Sequence, residues 1–218
     1  MKILTWNIQR PRKVNKSILD KLAEFDADIL VLTETNSTIN PGKKYFCVAT
    51  ETLLKGYDGI DYKSEENRTT IWTKYKIETD HKTYDSFTSV CNTIQTPNGS
   101  LKVYGTIIGV FGGLGERFKN DLKSQILDFE TLCENSFCII GDLNVTFSGR
   151  IYPSNEAKNK LNAIFEKLDL TNLTSNLENN VDHIILSNDF LKNKSVIIET
   201  WNHDKKLSDH IGICLSLK

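Results

Sequence analysis

The segment from Cys138 to Val145, Cys-Ile-Ile-Gly-Asp-Leu-Asn-Val, constrains the fold of this chain more than any other. An apolar run followed by Gly-Asp predicts a buried strand that ends on a carboxylate. In an extended segment, side chains two residues apart point to the same face. Asp142 and Asn144 therefore project together, while Leu143 points into a core. Standing alone, the segment is equally compatible with a strand that runs into an ordinary Asp/Asn turn.

The same pattern, an apolar run next to polar residues, recurs at four other places along the chain. The runs are Ile3 to Trp6, Ile29 to Thr33, Ile184 to Leu186 and Ile211 to Leu217. The polar residues beside them are Asn7, Glu34, Asp182 with His183, and Asp209 with His210. Carboxylate and amide oxygens are the ligands that Mg²⁺ and Mn²⁺ prefer, with several positions left for water and substrate. The strand ends therefore predict a site for a hard divalent cation.

Five short motifs follow one another in order: Trp6-Asn7, Thr33-Glu34, Gly141-Asp142-Leu143-Asn144, Val181-Asp182-His183-Ile184 and Ser208-Asp209-His210. Together they resemble the motifs of the endonuclease/exonuclease/phosphatase superfamily, which has the deoxyribonuclease-I-like fold. The resemblance extends from Lys2 to Ile213. It implies an α/β fold, a four-layer sandwich of two mixed β-sheets flanked by helices, with a site where the strand tips converge. It also implies a metal-dependent hydrolase of phosphate esters.

The predicted metal ligands are Asn7, Glu34 and Asp209. Glu34 is the first of them, because an acid at the end of a buried apolar strand needs a partner for its charge. Asn7 and Asp209 would complete the coordination directly or through water. The predicted cofactor is Mg²⁺ or Mn²⁺, which would offset the negative charge of the phosphate and assist the departure of the alkoxide.

The predicted catalytic residues are Asp142, Asn144, Asp182 and His210. Asp142 is the candidate general base for the attacking water, and Asn144 would hold that water or donate to a non-bridging phosphate oxygen. His210 would contact the phosphate from the opposite side, with Asp182 keeping the ring charged. His183 is predicted to be an ordinary strand histidine, because neighbouring residues on a strand point to opposite faces.

The overall charge does not predict a tight nucleic-acid binder. Lys and Arg number 27 against 28 acids, and the pI is near 6.4, whereas such proteins carry a basic excess. A nuclease nevertheless needs only a local basic rim, because each phosphate contact adds a modest, salt-sensitive increment. Arg10, Lys205 and Lys206 are the predicted substrate-binding residues, since each lies within a few residues of a site group. A nucleic acid is the leading predicted substrate.

Two positions depart from the family pattern. Family nucleases commonly place a second histidine, or in the exonuclease-III-like branch a tyrosine, where this chain has Ile107. Tyr104 is three residues earlier and so faces the other side of the strand. Gln9 stands where the abasic-site repair branch has an acid. These departures argue against a repair endonuclease. Two alternatives stay open: a phosphatase for a small phosphoester such as an inositol or sugar phosphate, and a catalytically silent binding module.

Strand patterns that alternate with helix patterns predict two packed mixed sheets with helices outside. The helices are predicted at Ser17 to Phe25, Glu116 to Cys133 and Glu156 to Leu168. Pro97-Asn98-Gly99 predicts a hairpin turn. With 218 residues, 39% of them hydrophobic, the chain is long enough to bury one sizeable core, and a single domain over residues 1–218 is predicted.

The cysteines and the N-terminus bear on the cellular compartment. Five cysteines, an odd number without a Cys-x-x-Cys pair, predict buried reduced thiols rather than disulfides or a zinc site. The chain begins at once with a strand pattern, and no run approaches the length of about 18 apolar residues that crosses a membrane. We therefore expect a cytoplasmic protein with no membrane segment and no obligate protein partner.

Overall fold

The computed structural model describes residues 1–11, 13–53, 56 and 59–218. In this part of the chain there are twelve strands and four helices. The strands are β1 (Lys2–Asn7), β2 (Ile29–Asn36), β3 (Phe46–Ala49), β4 (Glu66–Thr73), β5 (Ile77–His81), β6 (Ser89–Thr96), β7 (Gly99–Ile107), β8 (Phe137–Asp142), β9 (Leu170–Asn172), β10 (Asp182–Ser187), β11 (Val196–Trp201) and β12 (Gly212–Leu217). The helices are α1 (Asn15–Phe25), α2 (Gly115–Leu132), α3 (Asn155–Lys167) and α4 (Asn188–Leu191).

The strands form two six-stranded mixed sheets. The first sheet has the order β11-β12-β1-β2-β4-β3, and the second has the order β5-β6-β7-β8-β10-β9. Each sheet contains one parallel pair, β1 with β2 and β7 with β8, whose strands are connected through α1 and α2 respectively. The carboxyl ends of two parallel neighbours lie at the same edge of a sheet. Each sheet therefore brings two strand ends together at one edge. A site at one end of the sandwich requires this arrangement.

Apolar side chains fill three zones between four layers. The zone between the sheets contains Ile3, Val31 and Ile71 from the first sheet and Val103, Ile140 and Ile184 from the second. The outer face of the first sheet packs against α1, and the outer face of the second packs against α2 and α3. The predicted four-layer α/β sandwich is thereby confirmed. None of the four helices in the described part of the chain combines the length and apolar composition needed to cross a membrane.

Gly105 permits the close approach of the two sheets. A Cβ atom at this position would lie 3.0 Å from Cγ1 of Val31 and 3.3 Å from Cγ1 of Ile71. Such contacts are tighter than ordinary van der Waals packing, so a larger residue would push β7 away from β2 and β4. The spacing between the sheets matters for function, because each sheet contributes polar residues to the same end of the sandwich.

The observed elements agree with the predicted helices to within two residues at each end. The hairpin at Pro97-Asn98-Gly99 is also confirmed, because Thr96 pairs with Gly99 across the turn. The sequence analysis missed β5 and β9, which are the edge strands of the second sheet. β5 reads Ile-Glu-Thr-Asp-His and β9 has only three residues, so neither carries the alternating apolar pattern that identifies a half-buried strand.

The five cysteines are free thiols, as predicted. Cys91, Cys138 and Cys214 are buried, and Cys133 is partly buried. Cys47 is exposed on β3, so the expectation that the thiols are buried is wrong at this position. β3 is an edge strand of the first sheet and, among the described strands, pairs only with β4, so fewer neighbouring side chains cover its residues.

His183 is a structural residue, as its place on the strand predicts. It points to the helix-covered face of β10, and its ring lies edge-on to Phe147 with 4.7 Å between the ring centroids. Nε2 lies 2.9 Å from the carbonyl oxygen of Val145, and Nδ1 lies 2.9 Å from Oγ1 of Thr174. Burial lowers the pKa of His183 from 6.5 to about 4.

We expect His183 to make the fold less stable in mild acid. Between about pH 6.5 and pH 4 the unfolded chain protonates this histidine while the folded chain does not, so stability is lost as the pH falls through this window. The loss at about pH 5 should be about 2 kcal/mol in the free energy of unfolding. In His183→Gln, which removes the titrating group, this pH-dependent loss of stability should be absent.

Urea unfolding at about pH 7.5 and pH 5 measures the effect. The stability difference between the wild type and His183→Gln should shrink by about 2 kcal/mol at the lower pH. His203→Gln is the matched control, because His203 is exposed, and its difference should change little. A His183→Gln difference that is the same at both pH values would contradict the assignment.

Candidate active site

Strand ends from both sheets meet at one end of the sandwich. Asn7 ends β1 and Glu34 lies near the end of β2, its parallel neighbour in the first sheet. In the second sheet Asp142 ends β8 and pairs directly with Asp182 at the start of antiparallel β10. Oγ of Ser208 donates to the carbonyl oxygen of Asn7 at 2.7 Å, which holds the Ser-Asp-His turn against the same end.

The side-chain amide of Asn7 joins the two sheets. Its Nδ2 donates to Oε1 of Glu34 at 3.2 Å and to Oδ2 of Asp142 at 3.0 Å. Its Oδ1 accepts a hydrogen bond from the backbone N–H of Gln9 at 2.9 Å. Asn7 is fully buried, so each of these polar atoms has a partner where an unpaired one would be costly. One amide thus spaces two acidic groups that come from different sheets.

Glu34 reaches this position through an unusual backbone conformation. Strict alternation along β2 would place its side chain on the same face as Leu32, toward α1. Its φ angle is +46°, however, which lies in the left-handed region that few non-glycine residues adopt. The side chain instead contacts Asn7 between the sheets. Burial raises the pKa of the Glu34 carboxyl group, and the hydrogen bond from Asn7 opposes that rise.

Asp142 follows a glycine that the local geometry requires. Gly141 has a φ angle of +136°, and a Cβ atom there would lie 2.1 Å from the carbonyl oxygen of Thr106. Asp142 is 2% exposed, and its Oδ1 accepts from the backbone N–H of Asn144 at 3.0 Å. Burial and the nearby negative charge of Asp182 raise the pKa of Asp142 to about 7. At neutral pH this carboxyl group can therefore both accept and release a proton.

Asn144 is held by its own amide hydrogens. Its Nδ2 donates to the carbonyl oxygens of Ile108 and Gly109, each at 3.0 Å. Both N–H bonds are therefore used within the protein, and the predicted role as a donor to a phosphate oxygen is not available in this arrangement. Of the two roles that the sequence left open, holding the attacking water through Oδ1 is the one that the geometry allows.

His210 and Asp182 form a close pair. Nδ1 of His210 lies 2.6 Å from Oδ2 of Asp182. Burial disfavours a charged ring, but the charge and hydrogen bond of Asp182, aided by Asp142, outweigh it and raise the pKa of His210 to about 10. The ring is therefore an imidazolium at neutral pH. Its Nε2 lies 3.7 Å from Oδ1 of Asp209.

The Ser208–His210 turn is positioned by residues to which the sequence analysis gave no role. Nε1 of Trp6 donates to the carbonyl oxygen of His210 at 3.1 Å, and Nδ2 of Asn202 donates to the carbonyl oxygen of Ser208 at 2.7 Å. The backbone N–H of Asp209 donates to Oε1 of Gln9 at 3.2 Å. Trp6 and Ser208 belong to two of the five motifs, and this membership was the sequence signal that could have identified them as positioning residues. Asn202 and Gln9 stand on left-handed backbone, for which the sequence carries no comparable signal.

Two groups of side chains offer ligand atoms for a metal ion. Asp142, Asp182 and His210 place one ligand atom each within 4.8 Å of one another, but the charged ring of His210 repels a cation, so this trio is the poorer cation site of the two. Asp182 keeps one buried oxygen, Oδ1, without a hydrogen-bond partner in the described part of the chain. Glu34 offers a carboxylate that suits a hard cation, whereas Asn7 contacts Glu34 through Nδ2 and uses Oδ1 to accept from Gln9. Glu34 therefore fits the predicted ion, and Asn7 is placed beside it.

Asp209, the third predicted metal ligand, lies at the edge of this group. Its side chain is 62% exposed, and its charge contributes to the raised pKa of Glu34. The structure thus brings Asn7 and Glu34 into direct contact and places Asp209 on the adjacent turn.

The three predicted basic residues have different surroundings. Nε of Arg10 donates to Oε2 of Glu66 at 2.9 Å, and Nζ of Lys206 lies 2.7 Å from Oδ2 of Asp204. Both charges are thus paired with acids of the protein itself. Lys205 lines a groove of about 530 Å³ that also includes Asp182, Asp209 and His210. Of the three, Lys205 is the residue that the structure places in the groove.

Ile107 faces the interior of the site, as its alignment implies. It pairs with Asp142 across β7 and β8, is 2% exposed, and lines a small cavity of about 70 Å³ together with Glu34 and Arg68. Tyr104 points to the opposite face of β7, where its hydroxyl donates to Oδ2 of Asp128 at 2.7 Å. The prediction that Tyr104 faces the other side of this strand is confirmed.

Three of the solved structures with the same fold are named as endonucleases or exonucleases. An AP endonuclease from Archaeoglobus fulgidus has a TM-score of 0.76 and 15% identity, and the match covers 100% of this chain and 99% of that one. The 3'-5' exonuclease NExo from Neisseria meningitidis has a TM-score of 0.72 and 16% identity, with 100% of both chains covered. The endonuclease domain of TRAS1, a telomere-specific non-LTR retrotransposon, has a TM-score of 0.74 and 15% identity over 100% and 97% of the chains.

At these identities the likeness shows the fold alone. A comparison with curated protein sequences found no match. The model of the Endonuclease/Exonuclease/phosphatase family matches residues 4–210, a span that includes every motif with a candidate site residue. The chain therefore belongs to the endonuclease/exonuclease/phosphatase family.

Proposed function

We propose that this protein is a divalent-metal-dependent phosphodiesterase that hydrolyses nucleic-acid phosphodiester bonds. The observation that carries the proposal is the amide of Asn7, which joins Glu34 of the first sheet to Asp142 of the second. The neighbouring structures named as an AP endonuclease, an exonuclease and a retrotransposon endonuclease support a nucleic acid as the substrate.

The metal side of the site is formed by oxygen ligands. Asn7, Glu34 and Asp209 would hold Mg²⁺ or Mn²⁺, which when bound neutralises charge on the phosphate and on the departing alkoxide. Glu34 supplies a partly buried carboxylate, and partial burial disfavours an unpaired charge and so favours a cation as its partner. Asp209 is exposed and can contribute directly or through water.

The water side of the site is formed by Asp142 and Asn144. Asp142 takes a proton from the attacking water, a step for which a pKa of about 7 is suitable because the group is partly ionised at neutral pH. Asn144 accepts a hydrogen bond from that water through Oδ1, since both of its N–H bonds are directed to backbone carbonyls. Asp142 and Asn144 are two residues apart on the same turn. The same side of the site would therefore hold the water and remove its proton.

The phosphate side is formed by His210 and Asp182. The Asp182 carboxylate holds Nδ1 of the ring at 2.6 Å, which leaves Nε2–H to donate to a non-bridging phosphate oxygen. Because the ring stays charged, this donor stabilises the negative charge that grows on the phosphate during attack. Lys205, in the same groove, would contact the adjoining part of the substrate.

Glu34→Gln should weaken the binding of the metal ion without unfolding the protein. Loss of the carboxylate removes a charged ligand, so the Mg²⁺ concentration for half-maximal hydrolysis of labelled DNA should rise by about 10- to 100-fold. Thermal melting with and without Mg²⁺ provides a second readout, in which the variant should lose the metal-induced stabilisation. Glu166→Gln, at an exposed position of α3, is the matched control. An unchanged Mg²⁺ response in Glu34→Gln would exclude Glu34 as a ligand.

Asp142→Asn and His210→Ala should each lower turnover by about 10²-fold or more, as expected for positioned acid–base and charge-stabilising groups. Because neither group provides most of the binding energy, KM should change much less than kcat. Steady-state kinetics on a verified DNA or RNA substrate measure kcat and KM separately. The controls are Asp189→Asn, which is exposed on α4, and His81→Ala on the edge strand β5. If both site variants retain wild-type turnover, the mechanism is wrong.

Ile107→His should raise phosphodiesterase turnover by about tenfold, because it adds a hydrogen-bond donor beside the phosphate in a site that excludes water. Ile107→Leu keeps the apolar character and should leave turnover near the wild-type value. Single-turnover rates of the two variants, with circular dichroism to verify folding, make the comparison. A rate that is unchanged or abolished in folded Ile107→His would show that this strand position does not face the phosphate.

A panel of DNA, RNA and small phosphate esters, assayed with Mg²⁺, Mn²⁺ or EDTA, tests the reaction class itself. Hydrolysis of a nucleic-acid diester that EDTA abolishes is the expected result. Hydrolysis of the phosphomonoesters alone would instead support the phosphatase alternative, and the absence of hydrolysis throughout would support the silent binding module.

A further inference from the structure

Two large apolar side chains are exposed on the loops next to Asn144. Phe111 lies on the loop between β7 and α2 and is 55% exposed, and Ile151 lies on the loop between β8 and α3 and is also 55% exposed. Exposed aromatic and branched aliphatic groups cost hydration free energy, and exposed apolar residues on two loops beside a candidate site point to a binding role more than single scattered ones do.

The two loops are fastened to each other and to the candidate catalytic turn. The backbone N–H of Gly113 donates to the hydroxyl of Tyr152 at 2.7 Å. A Cβ atom at Gly113 would lie 2.8 Å from the carbonyl oxygen of Asn144, so the first loop packs directly on the turn. Phe111 is two residues before Gly113, and Ile151 precedes Tyr152. Both apolar side chains therefore stand at the rim of the site on a rigid support.

Three cations near the site are already paired with acids of the protein. Arg10 is paired with Glu66, Lys206 with Asp204, and Arg117 on α2 with Asp121 at 2.8 Å. The whole chain has a formal net charge of −1. Each neutralised phosphate adds affinity only through a cation that the protein supplies, so contacts to the bases would add affinity that these paired cations do not.

We propose that Phe111 and Ile151, here called the stacking site, bind an unpaired nucleobase of the substrate, which makes single-stranded or frayed nucleic acid the preferred substrate. The inference rests on the proposed nucleic-acid function of the adjacent site. In a duplex the faces of the bases are covered by neighbouring bases, whereas an unpaired base offers a free π-face to an aromatic side chain. The stacking site thus selects strands whose bases are unstacked, and it does so with little regard for sequence.

Fluorescence of 2-aminopurine tests the stacking site directly. A short single-stranded DNA with one 2-aminopurine is titrated with the full-length protein in EDTA, so that binding is measured without hydrolysis. Wild-type protein should bind the single strand more tightly than the matching duplex. Phe111→Ala should weaken single-strand binding by about tenfold, as expected for the loss of one base–aromatic stack, and should affect the duplex much less.

Two matched controls separate the stacking site from general surface effects. Phe46→Ala removes a phenylalanine that is 54% exposed on the edge strand β3, and Ile197→Ala removes an isoleucine that is 44% exposed on the edge strand β11. Neither should alter binding. Ile151→Ala should weaken it by a few-fold, since an aliphatic side chain packs against a base without a π-face. Phe111→Tyr should bind like the wild type, because the ring is kept.

The salt dependence of wild-type binding is an independent readout. With Lys205 and His210 as the cations that line the groove, the logarithm of the binding constant should fall with the logarithm of salt concentration with a slope of about −2 or shallower. The proposal is overturned if Phe111→Ala binds the single strand as tightly as Phe46→Ala does, or if the wild type binds the duplex more tightly. Intact single-strand binding with no hydrolysis on adding Mg²⁺ would instead sink the proposed enzymatic function and leave the stacking site standing.

Discussion

The hydrogen bonds of one amide, that of Asn7, allow two acidic groups from different sheets to share a water-poor space. Buried carboxylates repel one another, and the raised pKa values of Glu34 and Asp142 record the cost of their burial. Asn7 offsets part of this cost by donating to both. Its own backbone carbonyl accepts from Ser208, so the bonds that space the acids also attach the turn carrying His210. Displacement of Asn7 would disturb every other group of the site.

The charges of the site are divided between two sides. Oxygen ligands on the first sheet, led by Glu34, form an acidic side that favours a cation. The imidazolium of His210, kept charged by Asp182, supplies a cationic group beside them. In the proposed function a phosphodiester group would lie against both, because its anionic oxygens can face a bound cation and the ring together. The raised pKa of Asp142, about 7, suits the base role that the proposal gives to this residue.

Several residues of the site are held in backbone conformations that are costly in isolation. Glu34 and Asn144 both have φ angles near +50°, at +46° and +50°, and such residues cost on the order of 1 kcal/mol each. The surrounding structure maintains them through specific bonds, such as those from Asn144 to the carbonyls of Ile108 and Gly109. The same bonds fasten the loop that carries Phe111. The contacts that stabilise the Asn144 turn therefore also hold the loop of Phe111 in place.

The sequence by itself determined the helices, most strands and the set of polar residues at the strand ends, because alternation with period two or 3.6 is a local property. The four layers were implied by the resemblance that the five ordered motifs carry. It also determined that Tyr104 and Ile107 face opposite sides of β7. Only the tertiary structure decided how Glu34 turns toward Asn7 and that the N–H bonds of Asn144 are already used. The pairing of Arg10 with Glu66 was likewise invisible, because it joins residues 56 positions apart. Side-chain partners of this kind are set by packing between elements, which no local pattern encodes.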